Sequence, residues 1–103
     1  MPTDSAGEQP VELLQELGLK EYESKCFVGL TRVTEATAKE ISEIAEIPRT
    51  RVYDAMRVLE SRGLVEVHHS TPQQFRAVTV EEAIETLRST YESRFDELEQ
   101  HLE

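Results

Sequence analysis

Apolar residues recur at helical spacing along most of this chain, punctuated by residues that start and stop helices. Pro10 opens a short predicted helix with Val11, Leu14 and Leu17 on one face, ended by Gly18. A second helix, about residues 20–33, aligns Tyr22, Cys26, Leu30 and Val33. Its start is poorly capped, since Lys20 stands where Ser or Asp is favoured. Thr37 and Glu40 have capping-box spacing and start a third, short helix with Ile41, Ile44 and Ala45 inward. Ile47-Pro48 breaks that helix and primes a fourth, about residues 48–62, whose inner face carries Val52, Ala55, Met56 and Leu59. Gly63 supplies its stop.

The period then changes. Residues 64–68 (LVEVH) and 74–78 (QFRAV) alternate toward strand around the polar turn Ser70-Thr71-Pro72-Gln73. Thr79 and Glu82 make another capping box, from which a last helix runs to the end. Two helices joined by a short turn and followed by a hairpin form a winged helix-turn-helix. The expected fold is therefore mainly α with a small β-hairpin. Residues 1–9 read as a disordered lead-in, 10–79 as the winged helix-turn-helix and 80–103 as a C-terminal dimerisation helix.

The last helix carries apolar residues at Val80, Ile84, Leu87, Tyr91, Phe95, Leu98 and Leu102, an average spacing of about 3.67 residues. Its first half can pack on its own domain. Its second half reaches beyond what the rest of the chain can cover, and an isolated helix with such a face is poorly stable in water. The economical partner is the same helix from a second copy, which makes Leu87, Tyr91, Phe95, Leu98 and Leu102 the candidate dimer interface. The alternative is a helix folded back on its own domain.

Composition bounds the rest. The chain has 103 residues, 38% of them apolar, with no Trp. That is one domain with a core too small to enclose a large cavity. No apolar run is long enough for a membrane span, the N-terminal residues lack the pattern of an export signal, and a cytoplasmic protein is expected. One cysteine excludes an internal disulfide and a cysteine-rich zinc site.

A net charge of −10 argues by itself against nucleic acid. Its distribution changes the picture. Residues 47–76 hold Arg49, Arg51, Arg57, Arg62 and Arg76 against Asp54, Glu60 and Glu66, while both flanks are strongly acidic. Arginine outnumbers lysine and the surface is acidic, which points to work in concentrated salt. At about 1 M salt the Debye length is near 3 Å, so the carboxylates would hardly repel a polyanion. Equal melting temperatures in low and multimolar KCl would remove that expectation.

On a helical wheel the fourth helix presents Thr50, Tyr53, Asp54, Arg57 and Ser61 opposite its apolar arc, with Arg49 and Arg51 on the flanks. Arginine can bond a guanine edge with two donors, and threonine or tyrosine can bond phosphate. Arg49, Thr50, Arg51, Tyr53 and Arg57 are thus candidate DNA-binding residues, with Arg76 from the hairpin. The plainer reading is a solvated face whose arginines pair with Tyr53 or Asp54.

The stretch ELGLKEYESKCFVGL, then TAKEISEIAEIPRTRVYDAMRVLESRGLVEV and FRAV, resembles the N-terminal winged helix-turn-helix of TrmB-like archaeal transcriptional regulators over about residues 11–80. The resemblance implies sequence-specific binding of double-stranded DNA, usually as a dimer. Such regulators often carry a sugar-binding domain. These residues contain none, so sugar sensing is not carried over and no small-molecule ligand is evident. Two departures stand out. Glu46 occupies the turn position where the family usually has glycine, and Gln73 and Gln74 replace the usual wing cations. The wing is therefore expected to support while the helix reads.

Cys26 lies on an inward stripe and reads first as a small core residue, or else as a redox switch that is paired across a dimer or oxidised alone. His68 and His69 point to opposite faces of a strand, and His101 is remote, so no metal site is expected. No cofactor and no catalytic constellation is evident. The competing function, of a different class, is an acidic winged-helix module docking a basic protein of the transcription machinery.

Overall fold

The computed structural model describes residues 5–103 and contains α1 (Ser5–Glu16), α2 (Glu21–Leu30), β1 (Ala36–Thr37), α3 (Ala38–Ala45), α4 (Arg49–Ser61), β2 (Val65–His68), β3 (Gln74–Ala77) and α5 (Val80–Leu102). The fold is a winged helix: mostly helical, with an antiparallel sheet in the order β1-β3-β2.

Two expectations need correction at the N-terminus. Residues 5–9, expected in a disordered lead-in, are helical, and residues 1–4 lie outside the described residues. Pro10 does not open α1 but sits inside it. Proline removes one rung of the hydrogen-bond ladder, which α1 tolerates so near its start, with Glu8 favourably placed in the positive first turn. Gly18 ends the helix at φ 105°, and the Leu19 N–H donates to the Leu14 carbonyl at 3.0 Å.

The start of α2 is capped after all, from within. The Glu23 carboxylate accepts from the Lys20 N–H at 3.0 Å, and the Ser24 hydroxyl donates to the Lys20 carbonyl at 2.9 Å. Both side chains are buried, so these bonds also satisfy polar atoms that water cannot reach. At α3 the capping box forms as its spacing requires: the Thr37 hydroxyl accepts from the Glu40 N–H, and the Glu40 carboxylate accepts from the Thr37 N–H.

The core gathers Leu30, Ile41, Val52, Met56, Leu59 and Leu64, with Phe75 entering from the sheet. Gly29 lets α2 and α3 approach closely, since a Cβ there would meet Ile44 Cγ2 at 3.0 Å. Ile44, expected inward, covers that glycine with one side and leaves 39% of its surface exposed.

The sheet has a strand that the alternation of residues did not reveal. Ala36 and Thr37 pair with Phe75 and Gln74, so β3 is central and hydrogen-bonded on both edges. The wing is thereby tied to the segment that starts α3, and Phe75 is pinned between Ala36 and Val67.

Candidate nucleic-acid interface

The site is built on α4. Its Val52, Ala55, Met56 and Leu59 are each at most 4% exposed, which fixes the rotation of the helix about its own axis. The preceding turn fixes its tilt. Glu46 sits in the left-handed region at φ 58° and ψ 48°, where the chain reverses direction between α3 and α4. The Ile47 N–H donates to the Ser42 carbonyl at 3.2 Å, and the Ser42 hydroxyl donates to the Ile47 carbonyl at 2.7 Å. Ile47 is buried and Pro48 caps α4 without a side-chain acceptor, which leaves the positive end of the helix open to an anion.

Arg49, Thr50, Tyr53, Asp54 and Arg57 are all exposed on α4. Arg57 Nη1 donates to Asp54 Oδ1 at 3.0 Å, with both side chains more than 70% exposed. Arg51 is engaged elsewhere: its guanidinium lies 5.9 Å from the centroid of the Tyr22 ring on α2. That platform was invisible in the linear pattern, because nothing in the spacing of residues 22 and 51 announces it.

Arg76 does not stand clear as a wing cation. It is ion-paired with Glu66, its partner across the β2–β3 ladder. The hydrogen bond and charge of Glu66 push the Arg76 pKa further above its ordinary value. At the hairpin, His69 Nδ1 is 3.1 Å from Gln73 Nε2, and His68 Nδ1 is 4.0 Å from Glu35 Oε1. No group of three metal-binding side chains occurs among the described residues.

The proposed dimer residues divide. Leu87 is 8% exposed and belongs to the core of its own domain, which removes it from a free interface face. Tyr91 is half-buried, and its hydroxyl donates to the Glu16 carbonyl of α1 at 3.4 Å. Phe95, Leu98 and Leu102 are exposed, at 63%, 53% and 76%. Val80 and Ile84 are exposed as well, so the bare stripe begins at the first turn of α5 and not only in its second half. The own-domain face instead uses Ala83 and Leu87, with Thr86 beside Gly63.

Cys26 is fully buried, and burial, seconded by the charge of Glu23, pushes its thiol up to about 12. Full burial and a raised thiol pKa both disfavour the thiolate and the access that a redox switch needs, which supports the core role expected first.

Comparison with known proteins decides the family. Residues 14–81 match the family described as the sugar-specific transcriptional regulator TrmB. The chain belongs to the TrmB family. It is similar to the HTH-type sugar sensing transcriptional regulator TrmBL1 of Pyrococcus furiosus, 31% identical over 88% of this chain and 27% of that protein. It is also similar to the DNA-binding HTH-type transcriptional repressor TrmBL2 of Thermococcus kodakarensis, 32% identical over 84% of this chain and 33% of that protein. This TrmB-family chain thus spans between about a quarter and a third of the length of these relatives. In structure it superposes on TrmBL2, described as an archaeal chromatin protein with a novel mode of DNA binding, with a TM-score of 0.85 and 28% identity. That match covers 92% of this chain and 38% of TrmBL2. The family and these neighbours are transcription regulators with a DNA-binding winged helix, not enzymes. No described helix is long and apolar enough to cross a membrane.

Proposed function

We propose that this TrmB-family chain binds double-stranded DNA sequence-specifically as a homodimer, with α4 in the major groove and the β2–β3 hairpin alongside as a wing. One observation carries the reading: Arg49, Thr50, Tyr53 and Arg57 are held outward by the buried Val52, Ala55, Met56 and Leu59 behind them. Arginine reads base edges, while threonine and tyrosine bond phosphate. Arg51, braced on Tyr22, fits a contact to the flanking backbone better than base reading. Arg76, neutralised by Glu66, adds little attraction.

The dimer rests on the exposed stripe of Val80, Ile84, Phe95, Leu98 and Leu102 along α5. A helix of 23 residues is about 35 Å long, enough for two copies to pair well beyond their domains. Two α4 helices one turn apart, about 34 Å, would meet a palindromic site. Sugar sensing is not carried over from TrmBL1, which this chain matches over 27% of its length.

A second reading has its own support. The net charge of −10 and a wing without an unpaired arginine suit docking to a basic protein. Fluorescence anisotropy on genomic duplex fragments over a KCl series separates the two. Salt-dependent binding that saturates on a subset of fragments supports the first reading. Absence of binding at every salt concentration overturns it.

A further inference from the structure

We propose that Asp54 and Arg57 act as one reading unit for an oriented G·C base pair, with Asp54 the specificity-determining residue; this rests on the DNA-binding reading above. On the wheel of α4 the two lie within about 30° of the direction opposite the buried arc, in one column with Thr50 and Ser61. They therefore occupy the middle of the face that would enter the groove. An exposed pair three residues apart in a helix adds little to stability, so the fold does not require it.

The chemistry of the pair is directional. Arg57 Nη1 bonds Asp54 Oδ1 at 3.0 Å, which leaves the Nε–Nη2 edge of the guanidinium with donors for two acceptors. The remaining lone pairs of Asp54 need a donor once water is stripped away. The major-groove edge of a G·C pair offers the matching order: guanine N7 and O6 accept, and the neighbouring cytosine N4 donates. O6 and N4 are neighbours on that edge, hydrogen-bonded to each other, so a guanidinium and a carboxylate held side by side can address both.

A·T and C·G place like against like. T·A keeps an acceptor beside a donor and is rejected only by its methyl, which stands where guanine N7 would accept from Arg57. In A·T read from the same side, the adenine amino group would face the guanidinium and the thymine O4 would face the carboxylate. Asp54 thus contributes by rejection as well as by attraction. Its charge also opposes phosphate everywhere, so it weakens binding to arbitrary DNA while sharpening the choice of site.

The test uses the full chain and its Asp54→Ala variant, both checked for intact helicity. Sites are first selected by the wild-type protein from random-sequence duplexes. Affinity is then measured for the selected site, for the site with each base pair exchanged, and for random duplex. The wild-type protein is expected to show one position in each half-site where exchanging G·C weakens binding about tenfold or more. Asp54→Ala is expected to bind random duplex more tightly and, at that position alone, to lose most of the discrimination against A·T and C·G while keeping that against T·A. If Asp54→Ala keeps every base preference of the wild-type chain, the reading unit is refuted while the DNA-binding assignment stands. If the wild-type chain binds no duplex at all, the assignment itself fails and the unit with it.

Discussion

Glu66 and Arg76 are Cα partners across the β2–β3 ladder, and their side chains form an ion pair on the exposed face of the wing. The hairpin thus presents a neutralised arginine where a DNA-binding wing would present a cation. Glu66→Gln is expected to raise affinity for DNA several-fold near 0.1 M salt, and to steepen the dependence of log K on log salt by nearly one. Arg76→Ala should change affinity far less than substitutions on α4. Titrations of both variants over a KCl series check this, and a large loss in Arg76→Ala alone would make the wing the principal grip.

Glu46 holds a left-handed backbone conformation at the helix-turn-helix turn, and it places a carboxylate at the negative end of α3. Both features are unfavourable for a glutamate. Glu46→Gly should therefore raise stability by roughly 0.5–1 kcal/mol. Urea denaturation reads the change as a higher midpoint at an unchanged slope. A lower midpoint would mean that the carboxylate has a role in holding the turn.

Much of this fold was legible because its signals are local. The capping boxes at Thr37 and Thr79, the stop at Gly63 and the inward arc of α4 each depend on residues within a few positions of one another. What was missed depends on pairing across space. β1 is only Ala36 and Thr37, too short to alternate, and it exists because β3 offers a free edge. Arg51 is drawn to Tyr22 and Leu87 into its own core by contacts that no periodicity encodes. The Glu66–Arg76 pair follows once the hairpin register is known, and the Asp54–Arg57 pair from a spacing of three along a helix. For the site, residue types and the exposed face were readable, whereas the partners of Arg51 and Arg76 were not.

Cys26 is expected to behave as core. Its thiol should resist aromatic disulfide reagents at pH 7 until the protein unfolds, and Cys26→Ser should destabilise by roughly 1–3 kcal/mol through a buried hydroxyl. The pKa raised in the folded state has a definite sign in pH. The folded form keeps the thiol proton that the unfolded form loses near pH 9, so stability falls as pH rises from about 9 toward about 12. Rapid labelling under native conditions, or a Cys26→Ala variant whose alkaline unfolding matches wild type, would contradict this.

Leu87 and Phe95 lie on the same helix yet should fail differently. Leu87→Ala empties a core position and is expected to cost about 2–4 kcal/mol of stability. Phe95→Glu and Leu98→Glu alter exposed positions and should leave the domain folded while lowering the molar mass seen by light scattering from dimer to monomer. A wild-type chain that is already monomeric at high concentration would remove the dimer from the account.

The central claim is that the outward face of α4, and not the wing or the acidic remainder, contacts DNA. Its most direct measurement compares wild type, Arg49→Ala, Arg57→Ala and Arg76→Ala on one selected duplex at a fixed KCl concentration. The account predicts losses of about tenfold or more for Arg49→Ala and Arg57→Ala, and little change for Arg76→Ala. Unchanged affinity in both α4 variants, with binding abolished in Arg76→Ala, would contradict it.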